Sequence, residues 1–417
     1  MALPNLMRLA VCEAVPVQTF PMDDEEFPDD LKGAILDALD GGDPCRPHLQ
    51  RLCSDPLNRS AKTWCEEKWQ ALCEQEGYLC QAGYKLYRVH RTWRRQFRLF
   101  CELTNGPHKD DDEIALLRRF GAADLTEIPD LAFRYCLPLD IERLPSTITS
   151  IGVDAFKGCT NLKVMRIPDS VTYIGGAAFA ECSALLGVHL PNNDEFIIIT
   201  SSLFDGCNKL MVLDIPKSVN EIGSRAFRGC KKLEILDIPN SVNRIDVEAF
   251  RSCFALQHIR LPTNDDFKKI SRNLLDGCAA LTHLIIPKSV NEIGEYALYY
   301  CSAIKMLGIP NSVSVIGRAA FRGMSSLEVL ILPENPGFTA VPDEMCHSCK
   351  RLKLIDIPDS VTEIGAWAFA WCESLEEIHL PAEPLQYDGY LQYVHCPKLK
   401  IYWGDDEIPM DPYWNQW

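Results

Sequence analysis

The stretch that decides the fold is Ile215-Pro-Lys-Ser-Val-Asn-Glu-Ile-Gly-Ser-Arg-Ala-Phe-Arg-Gly-Cys-Lys-Lys-Leu233. Its pattern, Ile-Pro-x-Ser-Val-x-x-Ile-Gly-x-x-Ala-Phe-x-x-Cys-x-x-Leu, has other copies that begin at Ile167, Ile238, Ile286, Ile309 and Ile357. More divergent copies begin at Leu144, Leu190, Leu261, Leu332 and Leu380. A fixed period of about 20–30 residues is typical of a solenoid, because one unit alone cannot bury its apolar edge. The pattern predicts stacked coils that serve as a binding scaffold, with an enzyme as the second hypothesis.

The cysteines give the register of the coils. One cysteine recurs at the same position of each coil, and more residues separate Cys182 from Cys207 than Cys207 from Cys230. One long coil is followed by two short ones, and the series then repeats, so that long coils begin at Leu190, Leu261 and Leu332. The two additional residues of a long coil fall in a polar turn after the Leu-Pro pair, which predicts an outward ridge on every third coil. We expect about ten full coils with a degraded coil at each end.

Each position of the repeat has a physical role. In the segment 233–238, Leu236 and Ile238 are predicted to point inward and Ile235 and Asp237 outward, as in a strand with one buried face. The next residue is proline, which cannot donate to a strand ladder and therefore ends the strand. Ser-Val-x-x-Ile-Gly predicts a second short extended stretch. Ala-Phe-x-x-Cys predicts one tight helical turn whose Phe fills the core.

These motifs resemble the BspA-like class of leucine-rich repeats over about residues 121–403. The resemblance implies a repeat solenoid, a right-handed leucine-rich-repeat rod or arc with a parallel β-sheet on its concave side. It also implies protein recognition or adhesion and no catalytic residues. Many bacterial members of this class are surface proteins, whereas the composition of this chain predicts an intracellular protein.

Composition and charge predict an intracellular protein, cytoplasmic or nuclear. The N-terminal apolar stretch is interrupted by Glu13 and Pro16, which argues against a signal peptide, and no apolar run is long enough to predict a membrane span. Most of the nineteen cysteines occupy one core column, which favours buried reduced thiols over a disulfide framework. The formal net charge of −16 argues against nonspecific nucleic-acid binding.

Residues 1–120 lack the repeat and are predicted to form a separate α-helical N-terminal domain. Five successive cysteines here are spaced too widely for the close ligand pairs of a zinc site: Cys45, Cys53, Cys65, Cys73 and Cys80. We therefore expect no metal and no cofactor. A basic aromatic helix around residues 87–100 is interpreted as a solvated helix face, with an RNA- or phosphate-binding helix as the alternative.

Residues 27–72 are similar to an F-box, beginning at Phe27-Pro-Asp-Asp-Leu31 and continuing through Ile35-Leu-Asp-Ala-Leu39. That resemblance implies docking on the Skp-type adaptor of cullin-based ubiquitin ligases, through Pro28, Leu31, Ile35 and Leu39. The alternative interpretation is an ordinary helical cap on the first coil, since Pro28 suits a helix start and the three aliphatic residues share one helix face. The two interpretations are compatible.

The sequence contains no motif that predicts catalysis. Cys346-His-Ser-Cys349 resembles a redox centre, but Cys349 falls in the cysteine column and Cys346 in the Phe column, so both thiols should be buried. Four histidines, His189, His258, His283 and His379, fall at outward strand positions of separate coils and are interpreted as solvated side chains. Residues 404–417 carry Tyr413, Trp414 and Trp417 and are predicted to form an aromatic C-terminal cap.

The outward positions of the sheet are the predicted ligand site. Apolar residues cluster on adjacent coils there, and charged residues flank them, which commonly marks a protein interface. The predicted protein-binding residues are Ile285, Met306, Val329, Ile331, Leu354 and Asp356. The sequence thus predicts a noncatalytic protein–protein interaction scaffold, either a substrate adaptor of a cullin-type ubiquitin ligase or a structural or assembly subunit of a larger complex.

Overall fold

A computed structural model describes residues 126–135, 141–381, 393, 395–403 and 406–408. Within these residues the chain forms short β-strands joined by turns, and no α-helix is present. The predicted α-helical domain 1–120, the F-box-like segment 27–72 with its adaptor-binding residues, and most of the predicted cap 404–417 lie outside the described residues.

The strands form two parallel ladders, as the two extended stretches of the repeat predict. The minor ladder consists of short strands: β1 (Glu127–Ile128), β2 (Ser150–Ile151), β4 (Tyr173–Ile174), β6 (Ile198–Ile199), β8 (Glu221–Ile222), β10 (Arg244–Ile245), β12 (Lys269–Ile270), β13 (Glu292–Ile293), β15 (Val315–Ile316), β17 (Ala340–Val341) and β19 (Glu363–Ile364). The major sheet consists of β3 (Val164–Arg166), β5 (Gly187–His189), β7 (Val212–Leu213), β9 (Ile235–Asp237), β11 (His258–Arg260), β14 (Met306–Gly308), β16 (Val329–Ile331), β18 (Leu354–Asp356), β20 (Glu377–Leu380), β21 (Lys400–Trp403) and β22 (Asp406–Ile408).

Equivalent residues of neighbouring coils pair in the major sheet, within three groups of strands: β3 to β7, β9 with β11, and β14 to β22. Ile235, Leu236 and Asp237 face His258, Ile259 and Arg260, and Met306 faces Val329, which in turn faces Leu354. The middle residue of each three-residue strand is buried and its neighbours point outward, for example Leu236 between Ile235 and Asp237. This confirms the predicted inward and outward positions of the repeat.

The core contains the columns that the repeat predicts. Six phenylalanines from Phe133 to Phe250 stack along the coils with ring centroids 5.1–5.9 Å apart. Stacked aromatic pairs contribute about 0.5–1.5 kcal/mol each beyond the burial of their surface. The column then continues with Leu275 and Leu298, returns to Phe321, changes to Cys346 and returns to Phe369, all of them buried.

The Ala-Phe-x-x-Cys segment does not form a helical turn, so this prediction was wrong. The residue before the segment and its fourth residue have positive φ angles, which are 59° at Arg225 and 72° at Gly229. Alternate N–H groups bond to the next coil instead of to their own segment: Arg225 donates to Val247, Phe227 to Ala249 and Gly229 to Arg251. The N–H groups between them bond three residues back, as Cys230 does to Phe227. Every donor therefore has a partner in a chain of tight turns, without the bonds of an α-helix.

The long coils interrupt the minor ladder. Its strands pair in groups that restart at β6, β12 and β17, which are the strands of the three long coils. At each interruption an asparagine side chain joins the coils. The Nδ2 atom of Asn264 donates to the carbonyl oxygens of Asn240 and Val242 at 2.8 and 2.7 Å, while its Oδ1 accepts from the N–H groups of Asp266 and Phe267. Asn193 makes the same four bonds in its own long coil.

The major sheet ends in an antiparallel hairpin. β21 pairs parallel with β20 on one side and antiparallel with β22 on the other, with Trp403 facing Asp406. Such a hairpin covers a strand edge that would otherwise present unpaired backbone groups. The prediction that the aromatic residues beyond it cap the core concerns residues outside the described part.

Candidate protein-interaction surface

The outward face of the major sheet presents two columns of side chains, one from the first and one from the third residue of each strand. Five residues of this face form what we term the apolar patch: Ile285, Met306, Val329, Ile331 and Leu354. Ile285 exposes 84% of its surface, Met306 62% and Ile331 56%, while Val329 and Leu354 expose about two fifths each. Large apolar side chains rarely remain this open in a contiguous group unless another surface covers them.

Strand pairing makes the patch continuous. Met306, Val329 and Leu354 are successive residues of the first column because β14, β16 and β18 pair directly. Ile331 belongs to the second column and faces Gly308 of β14, and Ile285 lies at the position equivalent to Gly308 in the preceding coil. Neighbouring strands are about 4.8 Å apart, so the five side chains are within contact range of one partner segment.

The sixth predicted residue, Asp356, forms a charged border at one end of the patch. Its side chain is 72% exposed, and its Oδ1 lies 2.7 Å from Nδ1 of His379. The Nε2 atom of the same imidazole is 3.6 Å from the carboxylate of Glu377. This end of the patch therefore presents two carboxylates bridged by one imidazole.

The opposite end of the patch carries a histidine pair. His258 and His283 face each other on neighbouring coils, and both are exposed. Nδ1 of His283 lies 3.0 Å from the hydroxyl oxygen of Thr282. His189 lies several coils away, so the structure brings together only two of the four histidines that were predicted to be scattered. Arg260, in the second column, is 3.7 Å from Asp237 and largely exposed.

A second group of exposed apolar side chains was not predicted as a cluster. Val212 and Ile235 hold successive first-column positions, and Met211 precedes the first of them; all three are at least half exposed. The two groups are separated in the first column by His258 and His283. The sequence could have predicted this group, because the first column carries apolar residues both before and after the two histidines.

The Cys346-x-x-Cys349 motif is a structural element of the core, as predicted. Both residues are fully buried. Burial raises the pKa of the Cys349 thiol well above its ordinary value, and its hydrogen bond with Cys346 raises the pKa further. A reactive cysteine needs a lowered pKa and some exposure, so this pair has the opposite environment to a redox centre.

Within the described residues, no group of three or more His, Cys, Asp or Glu side chains is placed to hold a metal ion. The cysteines considered for zinc, Cys45 to Cys80, lie outside those residues, as does the basic stretch 87–100. The same described part of the chain contains no helix that is long and apolar enough to cross a membrane.

Stacked short and long coils, each with a Leu-containing strand and with buried Phe and Cys columns, define a leucine-rich-repeat solenoid. The BspA type leucine rich repeat region matches the chain in overlapping segments, residues 126–257, 188–305, 220–338, 244–376 and 339–401. These segments together cover more than half of the sequence, so the protein belongs to the BspA-type leucine-rich repeat family.

Three solved structures illustrate the similarity. A leucine rich cell surface protein from Faecalibacterium prausnitzii A2-165 is 28% identical, with 66% of this chain and 82% of that chain covered and a TM-score of 0.41. A leucine-rich repeat protein from Bacteroides ovatus is 24% identical, covering 62% and 87%, with a TM-score of 0.37. The leucine rich repeat protein of T. pallidum is 27% identical, covering 48% and 82%, with a TM-score of 0.38. No curated protein matches the sequence.

Proposed function

We propose that the protein is a noncatalytic recognition scaffold that binds a protein partner on the apolar patch of its major sheet. The observation that carries this proposal is the exposure of five contiguous apolar side chains, with Ile285 at 84%. A fully covered Ile, Leu, Val or Met side chain contributes about 1.5–3 kcal/mol relative to its exposed state. Two or three such anchors account for most of the affinity of a typical interface.

The test replaces Ile285, Met306 and Ile331 together with Asp and compares partners captured by affinity purification and mass spectrometry. We expect the variant to lose the partners that the parent chain retains, because three carboxylates would have to be desolvated in the interface. Since these side chains are already exposed, the thermal unfolding midpoint should change little. The same partners at unchanged affinity would refute the proposal.

Val315→Asp provides a matched control. Val315 is 53% exposed but lies in the minor ladder, away from the patch. It adds one carboxylate to an exposed strand position of the same solenoid, as each substitution of the triple variant does. Partners that are lost from both the control and the triple variant are lost for reasons of charge or folding and do not count in favour of the patch.

The finer proposal is that the chain acts inside the cell as a substrate adaptor of a cullin-type ubiquitin ligase, with residues 27–72 bound to a Skp-type adaptor. Its support is the F-box-like sequence together with the nine buried thiols from Cys182 to Cys372, which no disulfide joins and which suit a reducing compartment. We expect Leu31→Asp with Ile35→Asp to remove the adaptor and cullin from the captured proteins while substrate capture through the patch persists.

The second candidate function is that of a structural or assembly subunit. It is favoured by the second exposed group, Met211, Val212 and Ile235, which offers room for another protein on the same sheet. This candidate predicts that neither a Skp-type adaptor nor a cullin is captured. It also predicts that Val212→Asp with Ile235→Asp removes one stable partner while the patch variant removes a different one.

A further inference from the structure

Gly308 leaves an opening in the middle of the apolar patch. It is the third residue of β14 and points to the outward face, where neighbouring coils place Ile285 and Ile331. A Cβ atom added at Gly308 would meet no atom within 4 Å. The missing side chain at Gly308 therefore leaves a gap in the outward face, which we term the socket. Its neighbours on that face are Ile285, Ile331 and, in the first column, Met306.

The charges around this socket are arranged on two sides. In the second column the residues read Arg260, Ile285, Gly308, Ile331 and Asp356, one from each successive coil. Arg260 and Asp356 thus lie two coils to either side of Gly308, at roughly 10 Å each for strands about 4.8 Å apart. Both side chains are about three-quarters exposed. Each has one neighbour, Asp237 at 3.7 Å from Arg260 and His379 at 2.7 Å from Asp356, and its remaining surface is open to an oppositely charged group.

The backbone of the sheet restricts how a partner can bind. β14, which carries Gly308, pairs with β16 on one side, and the preceding coil, which carries Ile285, is stacked on its other side, so the stacked coils leave no open edge at the socket for strand addition. Contact must be made through side chains. The neighbours of the socket are aliphatic, which suits a helix laid in an apolar groove better than a proline-rich segment, whose docking grooves are lined by aromatic rings.

We propose that this socket receives one bulky apolar side chain of an α-helix that crosses the strands, with an acidic residue of the helix at Arg260 and a basic residue at Asp356. Two helical turns advance about 10.5 Å, since each residue rises about 1.5 Å. Charged residues seven positions before and after the apolar anchor therefore match the spacing of the second column. The inference rests on the proposed function and specifies the partner of the same patch.

The decisive variant is Gly308→Ile. Its φ is not among the positive values of the structure, and neighbouring coils carry isoleucine at the same position, so the variant is expected to fold with an unchanged or higher unfolding midpoint. The new side chain fills the socket. Gly187→Val is the matched control, because Gly187 is also a strand residue of the major sheet but lies outside the patch.

The probe is a displayed library of helical peptides selected against the full chain, with the central residue and the residues seven positions to either side randomised. We expect the selected peptides to carry a bulky apolar residue at the centre and opposite charges at the two ends. They should bind Gly308→Ile at least tenfold more weakly and Gly187→Val equally well. Asp356→Lys should weaken binding most at low salt, because a border charge is screened as ionic strength rises.

Peptides that bind Gly308→Ile as tightly as the parent chain, or a selection that yields no Gly308-dependent peptide, would overturn the inference. The triple variant of Ile285, Met306 and Ile331 separates this failure from failure of the proposed function. Loss of native partners in the triple variant but not in Gly308→Ile would leave the patch as an interface and remove only the socket. Retention of those partners in both variants would remove both proposals.

Discussion

The thiol of Cys253 donates a hydrogen bond to the carbonyl oxygen of Phe227, in the preceding coil, across a sulfur–oxygen distance of 3.2 Å. Nine other cysteines make the equivalent bond to the preceding coil. The cysteines therefore do more than fill the core with small apolar side chains. Each thiol also joins consecutive coils through a buried hydrogen bond.

The buried thiols predict a loss of stability at alkaline pH. Burial raises the pKa of Cys253 from an ordinary value near 9 to about 12. A group that stays protonated in the folded chain but ionises in the unfolded chain contributes stability that is complete below pH 9 and is lost as the pH rises toward 12. We expect the free energy of unfolding, measured by urea titration, to fall over this range.

Cys253→Ala isolates the contribution of one thiol. The variant should be less stable at pH 7 by about 1–3 kcal/mol, because it loses a hydrogen bond and opens a small cavity. Its stability should then fall less steeply above pH 9, by at most about 1.4 kcal/mol per pH unit. Equal slopes for the parent and the variant would show that this thiol does not titrate differently in the two states.

The asparagines of the long coils are predicted to stabilise the interruptions of the minor ladder. Asn264→Ala removes two donated and two accepted hydrogen bonds. It should lower the free energy of unfolding by about 1–3 kcal/mol, because the backbone groups that Asn264 bonds are left unsatisfied wherever water cannot reach them. Chemical denaturation measures the change. Asp265→Ala is the control, since Asp265 is the exposed neighbour in the same turn; a similar loss in both variants would contradict the bridging role.

The packing of the Tyr300 ring on Gly323 predicts that a substitution at this glycine destabilises the fold. Gly323 has a φ of 75°, and a Cβ atom added there would lie 2.7 Å from Cδ1 of Tyr300. Gly323→Ala should therefore destabilise the protein by about 1–2 kcal/mol for the left-handed backbone, with a further loss from displacement of the tyrosine ring. Thermal or urea unfolding would record both effects together.

The matched variants for this site are Gly308→Ala and the pair Tyr300→Ala with Gly323→Ala. Gly308→Ala should be neutral or slightly stabilising, because nothing lies near its Cβ and its φ is not positive. In the Tyr300→Ala background, Gly323→Ala should cost less than in the parent chain. An identical cost in both backgrounds would exclude the ring contact as a cause.

Glu248 predicts a stability change at acidic pH. Its carboxylate is 2.8 Å from Arg225, 3.4 Å from Arg251 and 3.7 Å from Arg228. Burial alone would raise the pKa of Glu248, but the hydrogen bond from Arg225 and the three positive charges lower it below its ordinary value near 4.5. The stability it contributes is therefore present above pH 4.5 and is lost as the pH falls through the folded-state pKa.

Glu248→Gln should be less stable than the parent chain at pH 7 by less than about 1 kcal/mol, because the pairs are partly open to solvent. The difference should shrink as the pH is lowered below about 4.5 and should also shrink in high salt. Glu295→Gln serves as the control, since its single pair, with Arg272 at 3.7 Å, is more exposed. A gap between Glu248→Gln and the parent chain that is independent of pH would contradict the electrostatic explanation.

Much of the candidate surface could be predicted from the sequence. Once the cysteine register is fixed, every residue between Leu and Pro of a coil is assigned to the inside or the outside, and Ile285, Met306, Val329, Ile331, Leu354 and Asp356 all lie outside in the structure. Their part in binding remains a prediction. Gly308 lies on the same face, but its role as a socket depends on the open space around it, which only the structure shows.

The sequence by itself determined the stacking of the chain, because a repeat of nearly constant length brings Cys above Cys, Phe above Phe and strand beside strand in every coil. Only the tertiary structure decided how the turns between the strands are formed. The Ala-Phe-x-x-Cys segment has the composition of a helical turn, yet alternate N–H groups bond to the next coil, and the residue before the segment and its fourth residue take left-handed angles. Local propensity yields there because the backbone donors of one coil find their acceptors in the coil stacked on it, and that neighbour exists only after the chain has folded.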